Sequence, residues 1–188
     1  EFLIRFPEVT IALHLADREV DLVAERFDVS IRTGQLADSS IVAKLIGKSS
    51  YRLVASPSYF GKHGFPKTPE DLSGHNCLRF SPADGTVWNH WPLRHGRTMK
   101  EVLVKGRLVS DHLSVLREAA IAGVGIARLP SPHVREQLRT GALLSVLDEQ
   151  RPPLTPIHLI HPAGRTLPKS TRSFIDFVSP RLMKAFRD

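Results

Sequence analysis

Few side chains in this sequence are spaced to do chemistry. His158 and His161 resemble a metal pair, but residues 156–161 read as a strand. An offset of three along a strand puts the two rings on opposite faces, where they cannot share an ion. His90 and His95 lie beside Trp88 and Trp91 in a turn-rich hairpin, where surface histidines are the commoner outcome. Cys77 sits in an apolar strand context, the setting of a small buried hydrophobe more often than of a nucleophile. Asp17, Glu19, Asp21 and Glu25 are explained by a solvated helix face. Gly123 and Gly125 resemble the front of a dinucleotide fingerprint, yet they follow a predicted helix instead of opening it, and the third glycine is missing. No Gly-x-Ser-x-Gly elbow and no His-Glu-x-x-His pair occurs. Nucleophile, base and orienting group cannot be assembled from these parts. The expectation is a binding protein and not an enzyme, with no metal and no cofactor.

The residues best placed to bind belong to the stretch 107–130. Residues 107–110 read as a strand, and Asp111 stands where a helix N-cap would stand. Leu113, Leu116, Ala119, Ala120 and Gly123 then share one helical face. Gly123 or Gly125 supplies the positive φ that ends the helix, and residues 124–129 return as an apolar strand stopped by Pro130. Strand, helix and strand in this order predict a parallel crossover. Ligands on such sheets sit where the strand's carboxyl end meets the helix start, which here is Ser110-Asp111-His112.

Other elements must position that point. Phe2, Leu3 and Phe6 share the face of a first helix that Pro7 closes. Residues 9–15 alternate and read as a strand, and Asp17 caps a helix with Val20, Val23 and Phe27 inward. Residues 28–32 form the next strand, again in a parallel order, with Thr33 and Gly34 turning at its end. Strands follow at 41–46 and 51–55. Ser56-Pro57 opens a helix that Gly64 ends, and Thr68-Pro69 repeats the device with Asp71 three residues on. Short strands are expected at 76–80, 87–93 and 99–105, with turns at Gly85 and Gly96. Ser131-Pro132 starts a helix that Gly141 stops, and 143–147 is a strand. The proline-rich 151–156 is a stiff crossing, 156–161 a strand, and a last helix from Lys169 turns Phe174, Phe177, Val178 and Leu182 inward, with a kink near Pro180.

Composition narrows the class. A length of 188 residues permits one large domain or two small lobes, and 41% hydrophobic residues suffice for a packed core. No apolar run approaches the roughly 18 residues of a membrane helix, so no membrane partner is expected. The opening residues are too short and too charged for a signal peptide, and the chain reads as a fragment that begins inside a helix. The single cysteine excludes an internal disulfide and fits a reducing cytoplasm. The net charge of +7 invites a nucleic-acid reading, but Lys and Arg are dispersed and no zinc or RNA-binding string occurs. The charge reads as solvated surface, biased towards an anionic ligand or towards DNA held by a neighbouring domain.

Several segments together carry a resemblance: DLVAERFDVSIRTG at 21–34, DSSIVAKLIG at 38–47, RLVASPSYF at 52–60, TPEDL at 68–72, AAIAGVGIA at 119–127 and FIDFV at 174–178. In this order, over nearly the whole chain, they resemble the effector-binding domain of LysR-type transcriptional regulators. The resemblance implies an α/β, type II periplasmic-binding-protein-like fold, two α/β lobes joined by two crossover strands with a small molecule between them. Residues 1–55 and 155–188 would form lobe I, and 56–154 lobe II. It implies that the family's first strand and a winged helix-turn-helix precede Glu1, that operator DNA is contacted through that module, and that the protein is a homo-oligomer, dimer or tetramer. Carried onto this sequence, the site comprises Arg32, Thr33 and Gly34 from lobe I and Ser110, Asp111 and His112 from lobe II, with Phe80 or Trp91 as an apolar wall. Arg32 and a helix start favour an anionic effector.

Two rival classes share such a scaffold. A transporter's solute-binding protein would need a secretory signal and no DNA-binding module. A small-molecule transferase, of the kind found in the porphyrin pathway, would need a nucleophile or an attachment point, for which Cys77 is the candidate.

Overall fold

Proline, glycine and serine punctuate this chain, and most element boundaries fall on them. The computed structural model describes residues 1–15, 20–36, 40–82, 84–164 and 166–186. In chain order the elements are α1 (Phe2–Arg5), β1 (Ser30–Thr33), β2 (Ile41–Ser49), β3 (Tyr51–Ala55), α2 (Pro57–His63), β4 (Cys77–Phe80), β5 (His90–His95), β6 (Thr98–Leu103), β7 (Val109–Ser110), α3 (Leu113–Ile121), β8 (Ile126–Pro130), α4 (Ser131–Thr140), β9 (Leu144–Val146), β10 (Thr155–Pro162) and α5 (Lys169–Ala185). Short 3-10 turns occupy Pro69–Gly74 and Asp148–Gln150. The chain divides into two units, Glu1–Ser49 with Leu154–Asp188, and Ser50–Pro153, so the backbone passes between them at Ser49–Ser50 and at Pro153–Leu154. β3 lies in the second unit, because it pairs with β8 and β9.

The second unit is built on a five-stranded sheet in the order β7-β4-β8-β3-β9. β4 is parallel to both β7 and β8, so the strand–helix–strand crossover through α3 is present, with β4 lying between its two strands. β3 runs antiparallel to its neighbours. One face carries Val54, Leu78, Ala127 and Leu129 against Leu116 and Ala120 of α3 and Val134 of α4. The other carries Leu53, Cys77 and Ile126 against Tyr59 and Phe60 of α2, Leu72, and Trp91 and Leu93 of the β5–β6 hairpin. The hairpin turns its alternate side chains inward, Trp91 at 2% exposure and Leu93 at 2%, as the strand period of two requires.

Local chemistry explains the starts and stops in this unit. Ser56 Oγ accepts the Tyr59 amide at 3.2 Å, and Pro57 follows as the first helical residue. Such a cap stabilises a helix by about 1 kcal/mol. The Asp71 carboxylate accepts the Lys67 and Thr68 amides, each at 2.8 Å, which fixes the 3-10 turn. Gly123, at φ +79°, ends the α3 segment in the left-handed region that glycine tolerates. At Gly125 a Cβ would collide with the Asn76 carbonyl, so the chain can cross there only without a side chain.

The first unit holds a three-stranded sheet in the order β1-β10-β2. Both pairings are antiparallel, so β1 and β2 run parallel to each other on either side of β10. The parallel pair expected from 9–15 and 28–32 does not form, because β1 takes its partner from the far end of the chain. Ile46, Ile157, Leu159 and Ile175 form the core, with Val178 and Leu182 of α5 packed on it. α5 continues through Pro180 as one element. Phe2 of α1 meets Phe174 and Phe177 edge-on at 5.2 and 5.4 Å.

Two further expectations fail here. Residues 9–15 form no strand, and Leu13 and Leu15 are 75% and 86% exposed. An alternating run becomes a strand only when a neighbour offers its edge, and these residues pair with no strand among the described residues. The helix expected from Asp17, which lies outside the described residues, is replaced over 22–26 by a turn. There Asp21 Oδ1 accepts the Val23 and Ala24 amides at 2.9 and 3.0 Å, and Leu22 points inward while Val23 is exposed. Leu3 is also exposed, so Phe2 and not the whole predicted face of α1 is buried.

Candidate functional site

The Ser110-Asp111-His112 turn lies at the carboxyl ends of β4 and β7, just before α3. Ser110 stands opposite Phe80 in the β4–β7 pairing, and the Ser81 amide donates to the Ser110 carbonyl at 3.0 Å. Ser110 Oγ accepts the His112 amide at 3.1 Å, which closes the turn. The expected cap moves by one residue: His112, not Asp111, occupies the N-cap position, with no side-chain cap bond. The His112 carbonyl accepts the Val115 amide at 3.2 Å, as a cap carbonyl should. Asp111 is exposed.

Phe80 is 7% exposed and meets Trp88 edge-on at 5.0 Å, beside the same turn. Trp91 is a correction. It lies in the interior under the hairpin with Leu53, Tyr59 and Val104, so it is a core residue and not a wall. An indole of that size has more apolar area to bury than any alternative inward residue of β5, and the strand period places it inside. Ser110, Asp111, His112 and Phe80 are thus brought together in one unit, and Trp91 is not one of them.

Arg32, Thr33 and Gly34 belong to the other unit. Arg32 stands across from His158, and its Nη2 donates to the Val20 carbonyl at 2.6 Å. It lines a depression of about 350 Å³ together with Asp21, Leu22, Ser40 and Ile41. Thr33 is exposed opposite Ile157, and the Gly34 amide donates to the Pro156 carbonyl at 2.9 Å. Gly34 has φ +112°, which suits glycine at the end of β1.

Cys77 is fully buried, and burial pushes its thiol up to about 12. Among the described residues no group of His, Cys, Asp and Glu could hold a metal ion, and no helix is long and apolar enough to cross a membrane.

Two sets of long-range contacts that the sequence did not indicate tie the second unit together. Asn76 ties both strands of the crossover: its Nδ2 donates to the Val124 carbonyl at 2.6 Å, and its Oδ1 accepts the Arg107 amide at 2.9 Å. Ser131 Oγ lies 2.9 Å from Ser50 Oγ, and Arg52 joins them through Nε at 3.3 Å. Arg52 also pairs with Asp148 at 3.3 Å, to which Ser145 donates at 2.6 Å. The signal for these contacts is long-range, with Ser50 and Ser131 lying 81 positions apart, and no local pattern carries it.

Residues 1–182 match the family model described as the LysR substrate binding domain. The uncharacterized HTH-type transcriptional regulator YhjC of Escherichia coli K12 is 31% identical over 188 residues, which is 100% of this chain and 62% of that protein. The solved structure of CrgA, a LysR-type transcriptional regulator from Neisseria meningitidis, matches with a TM-score of 0.85 at 27% identity, over 96% of this chain and 61% of that one. The full-length structure of the Vibrio cholerae virulence activator AphB matches with a TM-score of 0.82 at 30% identity, over 96% of this chain and 60% of that one. The present chain therefore spans less than two thirds of the length of these relatives.

Proposed function

The chain belongs to the LysR substrate-binding domain family, and from that premise we propose that it is the effector-sensing part of a longer transcriptional regulator. The fold is α/β, of the type II periplasmic-binding-protein kind, in two units that the chain crosses between twice. The observation that carries the reading is the family match over residues 1–182, nearly the whole chain.

In this reading the Ser110-Asp111-His112 turn of one unit and the Arg32-Thr33-Gly34 turn of the other serve a small-molecule effector. Phe80 offers the apolar contact beside the first turn. Ser110 supplies a hydroxyl at the carboxyl ends of parallel strands, the place where α/β sheets collect ligands. Arg32 supplies a cation on the other unit, which favours an anionic guest. The buried Cys77 thiol, its pKa raised by burial, is a poor candidate nucleophile.

Signalling then needs only differential affinity. An effector that binds one conformation better shifts the population towards it, and one that binds both equally shifts nothing. Couplings of about 1–3 kcal/mol are typical of such switches. The output is a change in how a homo-oligomer, dimer or tetramer, presents helix-turn-helix modules to operator DNA in the cytoplasm.

Thermal unfolding against a panel of metabolites tests the proposal, with Ser110→Ala and Arg32→Ala beside the parent chain. At a free ligand concentration about a hundredfold above Kd, the effector should add roughly 2.7 kcal/mol of stability. That increment should shrink in at least one variant. Full retention in both variants would remove these turns from the site.

A further inference from the structure

We propose that Arg128 and Tyr51 form a second subsite in the Ser50–Pro153 unit, one that takes the carboxylate of a small monocarboxylic acid with an apolar body. Arg128 lies in β8, between Ala127 and Leu129, which face α3 and α4. Its side chain therefore points to the opposite face of the sheet, the one shared with Ile126 and with Leu53 across the β3–β8 pairing. There its guanidinium carbon lies 3.9 Å from the centroid of the Tyr51 ring.

Polar satisfaction sets this arginine apart. Arg52 pairs with Asp148 and Ser131. Arg79, whose Nε is likewise buried without a partner, still donates from Nη1 to Asn89 and from Nη2 to the Gly106 carbonyl, at 2.7 and 2.8 Å. Arg128 makes neither a hydrogen bond nor an ion pair among the described residues, and its Nε is buried without an acceptor. A guanidinium carries five donors in one plane, and leaving the buried Nε–H unmet is costly. Burial accordingly lowers the pKa of Arg128, with only partial compensation from Tyr51 and Glu101.

The geometry selects the acceptor. The guanidinium carbon lies over the Tyr51 ring, and a ligand meets the donors that the ring leaves unbonded. A planar carboxylate matches them with two parallel hydrogen bonds. Arg128 is half-buried, so its side chain still reaches solvent. Glu101 acts on it from beyond contact range, and its negative field opposes a dianion more than a monoanion. Leu53 and Ile126 on this face are buried, so the apolar contact left to a guest is the half-buried Tyr51 ring, which suits an aromatic or hydrocarbon body. This subsite does not rest on the Ser110 turn.

The test follows the arginine's own Nε–H signal in the ¹⁵N-labelled chain, assigned by its loss in Arg128→Lys. Sodium benzoate is titrated at constant ionic strength set by sodium chloride. The Arg128 signal should move saturably with benzoate, and calorimetry should show affinity about tenfold weaker or worse in Arg128→Met, as expected for a lost charge-assisted bidentate contact. Arg139→Met removes an exposed positive charge of α4 and should bind benzoate like the parent chain. A signal that does not move, that moves equally with chloride, or that responds as strongly to inorganic phosphate would overturn the proposal. Should Arg128→Met fail to fold, the titration of the parent chain decides the matter alone. Because the readout belongs to Arg128, failure of the Ser110 turn to bind an effector would leave this result intact.

Discussion

Single side chains in this protein are read by what surrounds them. Cys77 has 0% exposure, and its Sγ faces the Leu72 carbonyl at 3.7 Å. Burial is the main reason its pKa rises to about 12, and the nearby Arg79 pulls the other way only weakly. A thiol whose folded pKa lies above its ordinary 9.0 favours the neutral form in the native state. Its contribution to stability is therefore complete below pH 9 and is lost as pH rises towards 12. A thiol-specific disulfide reagent at pH 8 should leave the folded chain unmodified and react fully once denaturant is added. Modification at the rate of a free thiol before unfolding would contradict the burial. The same surroundings decide Trp91, which the hairpin turns into the core.

At the scale of the element, one carboxylate organises the 3-10 turn Pro69–Gly74. Asp71 accepts the Thr68 and Lys67 amides, and these bonds hold its pKa below the ordinary 3.8. A depressed carboxylate pKa gives stability that is full above the unfolded value and is lost as pH falls through the folded one. Asp71→Asn should therefore lower Tm at pH 7, and the gap from the parent chain should close as pH falls below 3.8. Melting curves across pH 3–7 check this, and a gap of constant size at every pH would show that the charge is not the cause. Asn76 works on the crossover in a comparable way. One amide bonds the lead-in of β7 and the lead-in of β8, so the ends of the β7–α3–β8 crossover, and with them the Ser110 turn, are held to β4.

For the molecule as a whole, the two units differ in how the chain makes them. Residues 50–153 are continuous and supply both sides of their own sheet with a core. Their ends are tied down internally, Ser50 to Ser131 and Arg151 to Asp148. The other unit joins residues 1–49 to 154–188, and β10 and α5 come from the later segment. An isolated 50–153 fragment should therefore melt in one cooperative transition by circular dichroism, at about the size where a single core sustains itself. A fragment 1–49 should show no such transition, since its strands β1 and β2 meet only through β10. A 50–153 fragment without a cooperative transition would mean that its core depends on the rest of the chain.

What the residues determined by themselves were the local features. Ser56-Pro57 and Gly64 bound α2, Gly141 stops α4, Gly96 turns the hairpin, and the strand–helix–strand over 109–130 stands as its pattern indicates. Steric limits on proline and glycine and the periods of helix and strand act within a few residues, so they can be read in order along the chain. Tertiary structure alone decided the antiparallel pairing of β1 with β10, the absence of a strand at 9–15, the bridging role of Asn76 and the stacking of Arg128 on Tyr51. Each of these depends on a partner that arrives from a distant part of the chain. A strand's edge and a guanidinium's acceptors are set by that arrival, and no local periodicity encodes it.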